Sequence, residues 1–214
     1  MTETWRRLNE WPELILERLD GAGVARIILN RPEKRNCWNR PMANAFVESL
    51  DIVRADKELK VVITKGAGTI YSSGLDLAFL REVSNGPLLD WDRPNLTIQI
   101  AEALRAFPRI LIAQVHGYCL GGALGIVSQA VPAGRLEEHT NAFARDLATR
   151  HLAPLEHHKI TVQMGRDLSL SQAIQLDQLV GHRMRRTMDP LDDVESYLKS
   201  QKGGPNLSYK RPDV

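Results

Sequence analysis

Two glycine-bearing segments hold the residue types that handle charge developing on a substrate oxygen. They are Tyr71-Ser72-Ser73-Gly74-Leu75-Asp76-Leu77 and His116-Gly117-Tyr118-Cys119-Leu120-Gly121-Gly122-Ala123-Leu124. Each follows a short β-branched run and opens a predicted helix, a layout that brings two backbone N–H donors together. The first N–H groups of a helix lack intrahelical partners, and the helix dipole favours partial negative charge beside them. Preorganised N–H donors in a dry site are the strongest means of stabilising an enolate or a tetrahedral oxyanion. Gly74 lets the chain turn tightly before Leu75, and Gly121-Gly122 lets backbone approach a ligand where a side chain would obstruct it.

A third segment lies upstream, Leu29-Asn30-Arg31-Pro32-Glu33-Lys34-Arg35-Asn36. In motif and in order the three segments resemble the enoyl-CoA hydratase/isomerase family, also called the crotonase family. The resemblance runs from about Leu14 to Leu124 and resumes around Ile126 to Leu198. Several tens of residues that family members carry between those stretches are absent.

The resemblance implies an acyl-CoA substrate and hydratase, isomerase or related lyase chemistry on the thioester enolate. It assigns the oxyanion donors to the N–H groups of Leu75 and Gly122. It sets Lys34 and Arg35 against the coenzyme A phosphates, where their charges suit, and puts Ser73, Gly74, Asp76, Leu77 and Gly121 around the thioester. Cys37 stands where the family commonly has Ala and is expected to tighten the pocket. Coenzyme A enters as part of the substrate, with no separate cofactor or metal. The implied partners are the acyl-CoA and further copies of the chain, as a trimer or hexamer. The implied fold is α/β and crotonase-like, built of ββα spiral-type repeats with a truncated sheet. Residues 1–131 form the expected core and residues 132–214 a C-terminal helical region.

The resemblance also breaks. Family hydratases use two glutamates to place and move water protons; Gly125 stands at the first position, and the second falls in the absent stretch. General acid/base work needs a titratable group within reach of its proton, so neither role is assigned. The run Leu124-Gly125-Ile126-Val127-Ser128-Gln129-Ala130-Val131-Pro132 resembles a late family segment as well, the pattern a deletion between two similar segments would leave. Two functions follow from different classes: an enzyme descended from the fold, and a shortened paralogue that binds the CoA ester or a second copy without proton transfer. A truncated, inactive product is the third alternative.

Other residue groups read more plainly. Asp76 is expected to cap the helix after it rather than to catalyse. Alone, Lys34 and Arg35 would be a solvated basic turn; the glycine motifs downstream favour the phosphate role. Gly66-Ala67-Gly68 lacks the third glycine of a dinucleotide fingerprint and reads as a turn. His151, His157 and His158 lack the carboxylate or thiolate partners of a metal shell, and His116 is expected to pack at a strand end.

Elements must position these groups. Leu14–Leu16 and Val24–Leu29, joined by Asp20-Gly21-Ala22-Gly23, predict a hairpin taken as the first two strands. Met42, Phe46, Leu50 and Val53 recur at helical spacing before the strand Val61–Thr64. Leu96, Ile100, Ala103, Leu104 and Phe107 repeat the pattern before Pro108 and the strand Ile110–Val115. Such βαβ alternation implies parallel pairing. The long polar connector from Ser84 to Pro94 is a candidate loop over a site. Further on, Leu136, Phe143 and Leu147 predict one helix and Ala173, Leu176, Val180 and Met184 another.

Composition bounds the rest. A chain of 214 residues with 43% hydrophobic content supports one substantial core. Lys+Arg of 28 against Asp+Glu of 26 gives no basic stripe for nucleic acid. Cys37 and Cys119 form neither a disulfide framework nor a zinc spacing, so a reducing, cytoplasmic setting is expected. Met1–Pro12 has no apolar signal-type stretch, and no segment has the length of a membrane span.

Overall fold

The computed structural model describes residues 4–79, 81, 96–120 and 129–185. Gly121, Gly122 and Gly125 lie outside the described residues, as do Asp90, Asp92 and the rest of the Ser84–Pro94 connector.

Five strands form one mixed sheet in the order of the chain: β1 (Trp5–Trp11), β2 (Leu14–Leu19), β3 (Val24–Leu29), β4 (Val61–Gly66) and β5 (Ile110–Ala113). β1, β2 and β3 pair antiparallel, while β3, β4 and β5 pair parallel. The predicted hairpin is β2–β3, so these are the second and third strands rather than the first two. β1 escapes the sequence pattern because its register shifts between Arg7 and Asn9, which breaks the period-two alternation. It is held at both ends by tryptophan: Arg26 lies 4.0 Å over the Trp5 ring, and Trp11 Nε1 donates to Glu48 at 3.1 Å. The last strand ends at Ala113 rather than Val115.

Helix α1 (Arg40–Ala55) makes the first crossover and α2 (Leu96–Ala106) the second. Asn39 caps α1, its side chain accepting from Met42 N–H at 3.0 Å. Met42, Phe46, Leu50 and Val53 are all buried against Leu14, Leu16, Ile27 and Leu29. Burying each such side chain contributes roughly 1.5–3 kcal/mol before entropy is counted. Ile100, Ala103 and Leu104 of α2 and the buried Phe107 complete that layer.

Helix α3 (Leu136–Ala148) covers the other face of the sheet. Its packed side is Thr140, Asn141, Ala144 and Ala148 with Leu147 half-buried beside them, while Phe143 is 43% exposed, so Phe143 is the member of the predicted Leu136–Phe143–Leu147 set that does not pack. Small residues at i, i+4 and i+8 let the helix lie close on Val24, Val61 and Ile63, a better fit than a bulky stripe. Helices α4 (Leu152–Gly165) and α5 (Leu170–Arg185) pack on each other, joined by His157 Nε2 to Asp177 Oδ1 at 2.9 Å. Ala173, Leu176 and Val180 are the half-buried side of α5 as predicted; the Met184 side chain lies outside the described residues. No stripe announces α4, whose apolar residues are spread around the helix.

Candidate active site

The strands do not end the pairing. Past β3, β4 and β5 the chain continues as three neighbouring segments in a second, small parallel layer. Trp38 bridges Leu75, and Ser72 bridges Cys119. Ser73 N–H donates to Arg35 O at 3.0 Å, Tyr71 N–H to His116 O at 2.8 Å and Leu120 N–H to Ser72 O at 3.1 Å. The described parts of the two glycine segments and the upstream basic segment are therefore adjacent.

Asn36 holds this layer to the sheet. Fully buried and at φ 51°, it accepts from Arg31 N–H at 3.0 Å and donates through Nδ2 to Ala67 O and Ile70 O, both at 2.9 Å. Gly66 makes room for it: a Cβ there would lie 2.3 Å from Ile70 O and 2.7 Å from Asn36 Nδ2. Ser72 Oγ donates to Asn36 O at 2.8 Å and accepts from Gly74 N–H at 3.1 Å.

Gly74 sits at φ 89°, a conformation that favours glycine, and delivers Leu75. Trp38 N–H donates to Gly74 O and Asp76 N–H to Trp38 O, both at 2.8 Å. In a parallel bridge of this form, the residue between the two bonded neighbours turns its own N–H to the opposite side. Leu75 is that residue, and its N–H meets no acceptor among the described residues.

Leu75 and Gly74 form part of the wall of a cavity of about 440 Å³. The wall is otherwise largely apolar, with Trp38 set edge-on to Phe46 at 5.1 Å and Ile100, Leu104 and Leu111 beyond them. Its size falls in the range of small-molecule sites, and it lies at the C-terminal ends of parallel strands, where α/β sheets hold ligands.

Behind Leu75, Asp76 caps the helical turn that opens at Leu77, Oδ1 accepting from Ala78 N–H at 2.9 Å. Its Oδ2 pairs with Arg31 Nη1 at 3.2 Å and lies 3.4 Å from Cys37 Sγ. The Ala78 N–H, with the Cys37 thiol and the Arg31 guanidinium, holds the Asp76 carboxyl below its ordinary range against the opposing effect of burial. Burial, then the bond to Asp76, pushes the Cys37 thiol up, so it stays protonated. The Cys37 side chain faces Asp76 and Arg31 and does not line the cavity.

Lys34 and Arg35 are exposed on the turn after Pro32, with Arg35 at φ 53°. Ser73 is half-buried and Leu77 is 72% exposed. Leu120, beside Ser72, is the last described residue before Gly121, and the second predicted donor, Gly122, lies outside the described residues. His116 Nε2 lies 3.1 Å from Gly68 O, at the strand end where it was expected. His157 and His158 contact Asp177 and Pro154 O, and no metal-ligating cluster gathers among the described residues.

The profile of the enoyl-CoA hydratase/isomerase family matches residues 20–125, which contain every element of this layer. The chain belongs to the enoyl-CoA hydratase/isomerase family. It is 34% identical over 117 residues to a hydroxycinnamoyl-CoA hydratase-lyase of Pseudomonas fluorescens, covering 53% of this chain and 42% of that protein. It is 32% identical over 114 residues to the mitochondrial Δ(3,5)-Δ(2,4)-dienoyl-CoA isomerase of Mus musculus, covering 49% of this chain and 35% of that one. The chain thus spans about two fifths of the length of the curated relatives it matches. An enoyl-CoA hydratase subunit I of Geobacillus kaustophilus superposes with TM-score 0.78 at 18% identity, over 94% of this chain and all (100%) of that one. A Mycobacterium smegmatis enoyl-CoA hydratase gives 0.75 at 17%, over 89% and 97%. The fold is the crotonase fold, and the likeness extends past the family match into the C-terminal helices.

Within this family member, sequence spacing assigns no role to Asn36, Ser72, Arg31, Thr64 or Tyr71. Their distant partners are what spacing hides, Ala67 and Ile70 for Asn36, Asn36 for Ser72 and Asp76 for Arg31, while Thr64 and Tyr71 are close neighbours whose only signal is two hydroxyls amid apolar residues. A polar residue inside a glycine-rich turn, such as Asn36, is the signal that could have flagged the staple.

Proposed function

We propose that this crotonase-family chain binds acyl-CoA thioesters, the acyl group in the cavity and the thioester oxygen at the Leu75 N–H. The Gly122 N–H is the second donor in this proposal. The observation that carries it is the Leu75 N–H, turned away from Trp38 at the wall of an apolar cavity. A donor so placed polarises the carbonyl and stabilises the enolate that follows. Arg31, Asp76 and Asn36 act as positioning residues, since they fix the backbone that aims it. The matched relatives are named for CoA esters, which agrees with the substrate class.

Lys34 and Arg35 stand exposed beside this layer and are proposed to meet the coenzyme A phosphates. Calorimetric titration with butyryl-CoA checks the proposal. A Lys34→Ala/Arg35→Ala variant is expected to bind about tenfold more weakly at low salt, a difference that narrows as salt screens exposed charges. Equal affinity would return the pair to a solvated turn, and no binding by the unaltered protein would sink the proposal. Gly125 at the family's glutamate position favours binding and polarisation without fast hydration.

A further inference from the structure

Among the described residues that line the cavity, the side chains are apolar except at one place. Thr64 of β4 and Tyr71 beyond it are both buried, at 7% and 8% exposure, and their hydroxyl oxygens lie 2.9 Å apart. Both residues line the cavity. Two hydroxyls carry two O–H donors and four acceptor lone pairs, and the bond between them uses one donor. The other O–H meets no acceptor among the described residues. In surroundings formed by Trp38, Phe46, Leu104 and Leu111, an unused donor is costly, and a hydrogen-bonding partner there recovers that cost. Burial pushes the Tyr71 phenol up from its ordinary value, so it remains a neutral hydroxyl at any physiological pH.

Neither hydroxyl holds the fold together. The bond joins residues seven apart, while the backbone of Tyr71 is fixed separately, by its N–H to His116 O at 2.8 Å. Thr64 is likewise held in its strand between β3 and β5, in register with Ile27 and Ala113. A valine and a phenylalanine would fill the same space. The hydroxyls are therefore available for recognition.

We propose that the Thr64–Tyr71 hydroxyl pair is a specificity determinant of the acyl cavity. It selects acyl groups that carry an oxygen acceptor away from the thioester, such as a hydroxyl, ether or carbonyl, over plain hydrocarbon chains. The inference rests on the proposal that the cavity takes an acyl group. The spare O–H donates to that oxygen, and the apolar wall encloses the rest of the chain.

Matched ligands separate the two claims. Saturated acyl-CoAs of six, eight and ten carbons are titrated calorimetrically beside analogues with one ether oxygen or a terminal hydroxyl in the acyl chain. The unaltered protein is expected to bind the best-placed oxygenated ligand about tenfold more tightly than its hydrocarbon counterpart, the scale of one neutral hydrogen bond. In Tyr71→Phe the preference is expected to vanish while hydrocarbon affinity holds, and Thr64→Val serves the same comparison if Tyr71→Phe fails to fold. Hydrocarbon ligands that bind as well as every oxygenated one overturn the inference and leave the acyl-CoA proposal standing. A preference that survives both substitutions also overturns it. Failure of every thioester to bind overturns both.

Discussion

At the scale of single residues, the site depends on two side chains that never touch a ligand in this account. Asn36 closes three hydrogen bonds across the turns after β3 and β4. Asn36→Ala strands two carbonyls and one N–H in a buried place and puts alanine at φ 51°, at a cost of roughly 1–3 kcal/mol for each unsatisfied group. Thermal melting is expected to fall by about 5–10 °C, and a change under about 1 °C would show that the staple is unimportant. Asp76 gives a pH signature. Its folded-state carboxyl titrates below its ordinary value of 3.8, so the folded state favours the charged form. The stability this supplies is fully present above that value and is lost as pH falls through the depressed one. Denaturant melts of the protein and of Asp76→Asn should therefore differ most near neutrality and converge in acid; a gap constant with pH would deny the charge any part. Asp76 as a helix cap is legible from its position before an apolar run. Its pairing with Arg31, 45 residues away, is not, because nothing local records which strand ends become neighbours.

Among the elements, those with a clean period were legible and those stabilised by particular contacts were not. α1 and α2 announce themselves because one face of each meets the sheet, and β3 and β4 because both their faces are covered. β1 is concealed by its bulge, and α4 by its lack of a stripe. α4 is instead tied to the segment entering β5: Glu156 pairs with Arg109, and Lys159 Nζ donates to Arg109 O at 2.6 Å. Burial lowers the Lys159 pKa from 10.5 to about 8. The unfolded chain therefore holds more protons than the folded one between those values, and stability from this group rises with pH across the window. Below pH about 8, the folded state carries the charge at a penalty. Lys159→Met removes the titration, so the stability of the unaltered protein relative to Lys159→Met should improve from pH 8 to 10.5. A relative stability flat across that range would show Lys159 to be well solvated.

For the molecule as a whole, the small second layer was legible in its motifs and the cavity beside it was not, since the cavity depends on residues of α1, α2, β4 and β5 meeting the segments around Trp38 and Leu75. Among the described residues β5 is an edge strand, and Val115, Tyr118 and Leu120 beyond it are exposed, as are Leu170 and Leu179 of α5. An edge strand followed by exposed apolar side chains is a surface on which a second copy of the chain can pair. Sedimentation velocity is expected to show self-association at micromolar concentration; a stable monomer would count against it. Catalysis is the sharper test. The family's oxyanion framework polarises a thioester, but hydration also requires a group that takes and returns the water proton. By the family resemblance, Gly125 is expected at the first glutamate position, where it would offer no side chain, and no residue is assigned to the second. Loss of general acid/base assistance typically forfeits about 10²- to 10⁴-fold per group, so crotonyl-CoA hydration should be slow even where binding is intact. A spectrophotometric assay with the purified protein decides: turnover of roughly 1–10³ per second, the range of ordinary enzymes, would sink this expectation. Asp90 and Asp92 would then be the first residues to substitute in search of the proton carrier.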